Sequence, residues 1–334
     1  MRVVVTGGAG FIGANLCRHL CADPSISQVV VFDDFSTGHR GHLDGLGVEV
    51  VEGTILDLEA LGAVASGASA IVHLAARSSV PRSMCEPVPA HEVNATGTLN
   101  VLETARGVGG AHVVFASSSS VYGANPVLPK HEDLATRPVS PYAASKLAAE
   151  SYTLAWQSSY DLPTLAFRFF NVFGPLQTKT HAYAAVVPAF MSAAIEGHPL
   201  PVHGDGTQSR DFTYVDTVCD VIADAVRRRI TNPEPVNLAF GTRTSLLELI
   251  NTLEELLGEH LEVAHLPPRA GDVPHTQAST ERLRGLFPDV RPVELRTGLA
   301  NTLAWARHHH ADQPTFDPEG VVTEHGEANR QRIP

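Results

Sequence analysis

The sequence predicts an α/β protein, a doubly wound parallel sheet with a smaller C-terminal lobe. Three observations carry this. Short β-branched runs near 2–6, 28–33, 48–52, 70–74, 112–117 and 164–169 are apolar throughout, as strands covered on both faces must be. Helical patterns separate them, the mark of repeated strand–helix–strand units. A glycine-rich turn also joins the first run to the first helical stretch.

Composition fits a folded globular chain. The 334 residues are 43% hydrophobic and 18% charged, with a net charge of −12. That balance argues against a general nucleic-acid or membrane surface, so an anionic ligand would need local arginine clusters. The four cysteines Cys17, Cys21, Cys85 and Cys219 lack a second ligand pair at zinc spacing and read as buried or free thiols, with no metal site. Met1-Arg2-Val3-Val4-Val5 carries no signal-peptide pattern and no apolar run reaches membrane-spanning length, so a cytoplasmic location is expected.

The first strand runs into Thr6-Gly7-Gly8-Ala9-Gly10-Phe11-Ile12-Gly13. A diphosphate needs this arrangement: a tight turn, backbone without Cβ where phosphate approaches, and free N–H groups at a helix N-terminus. The second strand ends in Asp33, 20 residues after Gly13. A carboxylate there accepts from both ribose hydroxyls and repels a 2′-phosphate, which selects NAD over NADP.

Phe115-Ala116-Ser117-Ser118-Ser119-Ser120 leaves the fifth strand at its carboxyl end, where open parallel sheets bind ligands. Tyr142-Ala143-Ala144-Ser145-Lys146 begins a helix over Tyr142–Tyr160, just after Pro141. At i and i+4 the phenol and ammonium share a face, and the cation is expected to favour the phenolate. Lysine is scarce (Lys130, Lys146 and Lys179), so its place here carries weight.

The pattern changes after Asn171. Turn signals fill 172–204 except for a helix near 186–196; residues 210–240 return to the sheet through Val236-Asn237-Leu238, and 258–290 are again loop-rich. The expected division is 1–171 plus about 210–245 for the dinucleotide domain and about 172–209 plus 246–307 for the second lobe, with a polar tail over 308–334. The run His308-His309-His310 reads as a frayed helix end.

Together with Arg168-Phe169-Phe170-Asn171-Val172-Phe173-Gly174-Pro175, these motifs resemble the extended short-chain dehydrogenases/reductases, and within them the UDP-hexose 4-epimerases, from residue 1 to about 307. The resemblance implies a Rossmann-type domain, NAD, a UDP-sugar substrate and a homodimer joined through helices near 91–107 and 142–160. It implies Tyr142 as base, Lys146 as its modulator and Ser118 as a bridge to the sugar 4-hydroxyl. Cofactor contacts would come from Gly7, Gly10, Phe11, Ile12, Gly13, Asp33, Ile55, Leu74, Ala75, Ala76, Asn94, Tyr142, Lys146 and Phe169. Ser78, Arg82, Ser118, Ser119, Ser120, Tyr142, Asn171, Val186, Arg210, Arg269 and Thr276 would meet the substrate. Two positions depart from the pattern: Thr54, where relatives carry an adenine-binding Asp, and Phe169, commonly Tyr.

The implied reaction is 4-epimerisation through a transient 4-keto sugar. Ser119 and Ser120 stand where sugar-nucleotide dehydratases carry an acidic pair, which favours simple epimerisation. Thr276, where glucose-restricted epimerases tend to carry Tyr, leaves room for a 2-acetamido group, as do resemblances in Ser79-Val80-Pro81-Arg82-Ser83 and Tyr183-Ala184-Ala185-Val186-Val187-Pro188. UDP-GlcNAc/UDP-GalNAc is therefore the expected pair, with UDP-Glc/UDP-Gal beside it. UDP-glucuronate is the alternative, since Arg82 could meet a 6-carboxylate; a dehydratase or decarboxylase and a non-catalytic NAD sensor stand behind it.

Overall fold

A computed structural model describes residues 1–177, 185–267 and 273–309. In chain order, β1 (Arg2–Thr6), α1 (Phe11–Ala22), β2 (Gln28–Asp33), β3 (Glu49–Glu52), α2 (Leu58–Ala65) and β4 (Ala70–His73) come first. The short helices α3 (Val80–Cys85) and α4 (Pro87–His91) run through a π turn over Glu92–Thr96 into α5 (Gly97–Gly107). β5 (His112–Ser118), a 3₁₀ turn over Ser119–Tyr122, α6 (Pro141–Tyr160) and β6 (Thr164–Phe169) follow. Beyond these lie β7 (Asn171–Phe173), α7 (Val186–Glu196), β8 (Leu200–His203), β9 (Ser209–Arg210), β10 (Phe212–Tyr214), α8 (Val215–Arg228) and β11 (Val236–Leu238). The last elements are β12 (Thr244–Ser245), α9 (Leu246–Leu257), β13 (Val263–Leu266), α10 (Glu281–Leu286) and α11 (Leu295–His309).

Seven parallel strands form one sheet in the order β11-β6-β5-β4-β1-β2-β3. The chain builds outward from β1 to β3, then crosses back to start β4 on β1's other side. The loops leaving β1 and β4 therefore part company and open a crevice at the carboxyl ends of the strands. The strands alternate their side chains between two cores. Val3, Val5, Val29 and Val31 pack with Leu16, Leu20 and Ile222 of α1 and α8, while Val4, Val30 and Phe32 pack with Leu61, Val101 and Leu102 of α2 and α5. Burial on both faces is why these runs read as continuously apolar.

Three features differ from the sequence reading. The 258–290 stretch contains β13, paired in parallel with β8, because the short apolar run Val263–Leu266 finds a partner sixty residues away that local pattern cannot reveal. The helix expected near 91–107 is broken by the π turn, which turns buried Asn94 toward α6. Helix α11 continues through His308 and His309, held by its buried Leu299 and Leu303; His310 and the rest of the tail lie outside the described residues. The cysteines are free, Cys17 and Cys219 buried and Cys21 and Cys85 exposed. Among the described residues no cluster could hold a metal ion, and no helix is long and apolar enough to cross a membrane.

Candidate active site

The glycine turn leaves no space for side chains. Gly7 has φ +71°, and a Cβ there would lie 2.6 Å from the Ala75 nitrogen; one on Gly13 would lie 2.3 Å from the Gly7 carbonyl oxygen. Gly10 differs, for a Cβ there meets nothing closer than that same oxygen at 3.3 Å. It caps α1 without a side chain, so the first N–H groups of the helix, those of Phe11, Ile12 and Gly13, have no intrahelical acceptor and face the crevice end. This backbone cradle fits a diphosphate.

Asp33 ends β2 nearly buried. Its Oδ2 accepts from Ala9 N at 2.9 Å and its Oδ1 from Phe35 N at 2.8 Å, while burial raises its pKa. Both oxygens keep a lone pair for a ribose hydroxyl. Around the cradle, Ile55 is buried behind Gly97, Leu74 N donates to Thr6 O at 3.0 Å, and Ala75 and Ala76 continue that loop. Thr54, in place of an acid, turns its hydroxyl to Leu56 N at 3.3 Å.

On the other side of the crevice, Ser118 is the last residue of β5 and pairs in register with Phe169 of β6. Its Oγ lies 2.7 Å from Ser120 Oγ and accepts from Ser120 N at 3.2 Å. Half-buried Tyr142 opens α6 beneath the N-cap Ser140, and the Ser118 hydroxyl reaches its phenol. Burial holds the Tyr142 pKa up, and the hydrogen bond with Ser118 draws it down. Lys146 donates Nζ to Ala116 O at 2.9 Å, and burial pushes its own pKa down to about 7. An i,i+4 spacing brings two stems to one face, but the acceptor on β5 decides where the ammonium ends.

Asn94, expected near the cofactor, is anchored by its neighbours. Its Oδ1 accepts from Arg77 N at 2.8 Å, and its Nδ2 donates to Arg77 O at 3.1 Å and Ser145 Oγ at 3.0 Å. The amide is thus committed to joining the loop after β4 to α6. One turn beyond Lys146, buried Glu150 accepts from Ser117 Oγ at 2.6 Å and takes two hydrogen bonds from Arg168, at 2.7 and 3.0 Å. This buried pair fixes α6 against β5 and β6.

A cavity of about 250 Å³ opens beside the sheet, lined by Asn171, Val186, Arg210, Pro201, His203, Gln208 and Leu246 among others. It gathers three of the expected substrate residues: Asn171, Val186 and Arg210. Arg210 donates to Ser209 O and Pro274 O at 2.9 and 3.2 Å, which points its guanidinium along the cavity wall. Thr276 is not in that lining; its hydroxyl accepts from Asp211 N at 3.4 Å, between β9 and β10. Ser78 is exposed on the loop after β4. Arg82 is engaged on α3, donating to Glu86 at 3.1 Å, a carboxylate that also pairs with Arg77 at 3.0 Å. Arg269 lies outside the described residues.

Sequence reasoning missed Gln208, His203, Asp211 and the Glu150–Arg168 pair. Gln208 had a signal, for it stands two residues before Arg210 and extended backbone puts both on one side. Asp211 had none. It is fully buried and accepts from Ala278 N, Gly241 N and Thr242 Oγ1 at 2.9, 3.1 and 2.9 Å, partners from distant segments.

Residues 3–239 match the model of the NAD dependent epimerase/dehydratase family. The chain is 36% identical over 314 residues to a UDP-glucose 4-epimerase of Mycolicibacterium smegmatis, spanning 92% of this chain and 99% of the relative. A UDP-N-acetylglucosamine 4-epimerase from Methanobrevibacter ruminantium, solved with UDP-N-acetylmuramic acid, superposes with a TM-score of 0.86 at 33% identity, covering 91% and 97% of the two chains. A UDP-glucuronic acid 4-epimerase from Bacillus cereus, solved with UDP-glucuronic acid and NAD, gives 0.85 at 28% identity over 92% and 99%. With the match spanning most of the chain and a glycine turn that excludes Cβ atoms beside the nearly buried Asp33, this chain belongs to the NAD-dependent epimerase/dehydratase family, uses NAD and acts on sugar nucleotides.

Proposed function

We propose that the chain is a UDP-hexose 4-epimerase that interconverts UDP-GlcNAc and UDP-GalNAc and also takes UDP-Glc and UDP-Gal. The observation that carries this reading is the pairing of Ser118 with Tyr142 at the open end of β5, followed by two hydroxyls, Ser119 and Ser120, rather than acids. Removing a proton from O4 and returning it needs one base and a bridging hydroxyl; eliminating water would need a further acid and base.

The glycine turn would hold the NAD diphosphate, Asp33 its adenosine ribose, and Tyr142 and Lys146 the nicotinamide ribose, with Ile55, Leu74, Ala75, Ala76 and Phe169 as walls. NAD bound there supplies a reversible hydride acceptor for the sugar C4. Tyr142 takes the O4 proton and later gives it back. Ser118 donates to and accepts from the same oxygen, so proton traffic stays aligned. Arg210 and Asn171 in the cavity, joined by Arg269, would grip the diphosphate by charge-assisted hydrogen bonds. The grip would fall on UDP and leave the hexose free to turn either face of C4 toward the nicotinamide. Val186 lines the cavity and is small enough to leave room for a 2-acetamido group, whereas Thr276, expected to open that space, lies outside the lining.

Assaying the GlcNAc, Glc and GlcA pairs of UDP-sugars tests the reading. Turnover of the first two is expected, and activity confined to UDP-glucuronate would overturn the acetamido argument. The Arg82–Glu86 ion pair already weighs against a carboxylate partner for Arg82. Tyr142→Phe should keep NAD binding and lower turnover at least about a hundredfold. The homodimer belongs to the same proposal: α5 and α6 pack together, and α6 presents Tyr152 and Tyr160, stacked edge-on through Trp156, at 40% and 50% exposure. Light scattering that gives a monomer mass would remove it.

A further inference from the structure

His73 is the most deeply placed ionisable group beside the crevice, and nothing in the proposed reaction uses it. It ends β4 at 1% exposure, in register with Thr6 at the end of β1. Its Nδ1 lies 2.7 Å from Thr6 Oγ1 and its Nε2 lies 3.0 Å from Thr98 Oγ1 of α5. Either ring nitrogen could carry the proton if these two contacts stood alone. Their neighbours decide.

The Thr98 hydroxyl lies 2.6 Å from the Asn94 carbonyl, which can only accept, so Thr98 donates there and must accept from His73 Nε2–H. Nδ1 is then the bare nitrogen and accepts from Thr6 Oγ1–H, whose oxygen accepts from Ala75 N at 3.4 Å. At the far end, the Asn94 amide is oriented by Arg77, since Oδ1 faces the Arg77 N–H and Nδ2 the Arg77 carbonyl. Nδ2 therefore donates to Ser145 Oγ at 3.0 Å, and Ser145 donates to the backbone carbonyl of Tyr142 at 2.8 Å. Every hydroxyl donates once and accepts once. Only one placement of protons satisfies the whole set, and its side chains are all buried, Thr6, Thr98, Asn94 and Ser145 at 0, 1, 1 and 3% exposure.

We propose that His73, held as the neutral Nε2–H tautomer, is a positioning residue: it completes a one-way chain of hydrogen bonds that ties the loop after β4 to the π turn and, through Asn94 and Ser145, sets the backbone of Tyr142. The proposal rests on the reading of Tyr142 as the base. The ring is suited to stay neutral, for burial and the nearby Lys146 charge push its pKa down to about 3, and Phe115 and the two threonines supply the rest of its surroundings. A protonated ring would present a second donor to Thr6, reverse that hydroxyl and set it against the Ala75 N–H.

Two measurements on the full-length, NAD-loaded protein test this. In ¹⁵N-imidazole NMR, with His73 assigned by its loss in His73→Phe, the ring should show the Nε2–H pattern unchanged between pH 6 and 9. An Nδ1–H pattern, or titration in that window, overturns the proposal. In kinetics, His73→Phe fills the space but breaks the chain, and should lower kcat by about ten- to a hundredfold while KM for the UDP-sugar stays within about twofold. Thr98→Val should match it, the double variant should be no worse than either single, and His73→Gln, which can still donate to Thr98, should recover most of the rate. Unchanged kcat in Thr98→Val, or a rise in KM without loss of kcat, overturns it. Should His73→Phe fail to fold, His73→Gln supplies the assignment of the ring and Thr98→Val still decides the kinetics. Retained turnover in Tyr142→Phe would remove the base itself and leave the tautomer measurement standing, so the two failures are separable.

Discussion

The glycine turn and the substrate cavity hold their ligand surfaces by opposite means. At the turn, backbone lies directly against backbone: the Cα positions of Gly7 and Gly13 have the Ala75 nitrogen and the Gly7 carbonyl where a Cβ would be. At the cavity, strands of two to four residues pair in isolation (β7 with β10, β9 with β12, β8 with β13), and the buried Asp211 carboxylate gathers three of the crossing segments. Backbone contact admits one residue type and so leaves a trace in the sequence. Assembly through side chains admits many solutions and leaves little.

The largest effect on cofactor binding should come from breaking the first of these. Gly13→Ala places a methyl 2.3 Å from the Gly7 carbonyl, and backbone on both sides cannot yield. NAD affinity measured by calorimetry should fall at least about a hundredfold, equivalent to about 2.7 kcal/mol. Affinity within about threefold of the parent would show that the turn is softer than the contrast requires.

The largest loss of stability should come from the buried pair that holds α6 against β5 and β6. Glu150→Ala leaves Arg168 buried at 5% side-chain exposure without its carboxylate, and loss of one partner of a buried pair costs about 3–5 kcal/mol. Urea denaturation should read that loss. A cost below about 1 kcal/mol would mean that α6 is held by packing alone.

Asp211 tests the second region through pH. Burial pushes its pKa up from 3.8 to about 6 despite three accepted hydrogen bonds. A raised acid binds its proton more tightly when folded, so its contribution is fully present below about pH 4 and is lost as pH rises through about 6. That rise corresponds to about 3 kcal/mol. Asp211→Asn can keep both backbone bonds through its carbonyl oxygen and turn Thr242 into an acceptor. Its stability relative to the parent should therefore improve between pH 4 and 7; a pH-independent difference would show that the carboxylate does not titrate there.

The smallest effect belongs to the α1–α8 contact on the cofactor side. His19 bonds Asp216 and Asp220 at 3.4 and 3.2 Å, and these raise its pKa to about 9. A raised histidine contributes fully below about pH 6.5 and loses that contribution as pH climbs through about 9. The aspartates are 42% and 57% exposed, so solvent screening limits the pair to about 1 kcal/mol or less. His19→Asn should be slightly less stable at pH 6 and indistinguishable from the parent by pH 10 in thermal unfolding.

The amino-acid order by itself determined the strands from Arg2 to Phe169, the glycine cradle, Asp33 at the end of β2, and the Ser118, Tyr142 and Lys146 set. Each depends on local constraints: a buried parallel strand must be apolar along its length, a phosphate turn must lack Cβ atoms, and a helix brings i and i+4 together. Tertiary structure alone decided where Lys146 points, what Asn94 and His73 bond, why Arg168 is paired and how Asp211 joins residues 241, 242 and 278. Those outcomes depend on partners that meet only after the sheet has formed. A buried polar atom is defined by the acceptor or donor that folding brings to it, and residue spacing along the chain does not encode that meeting.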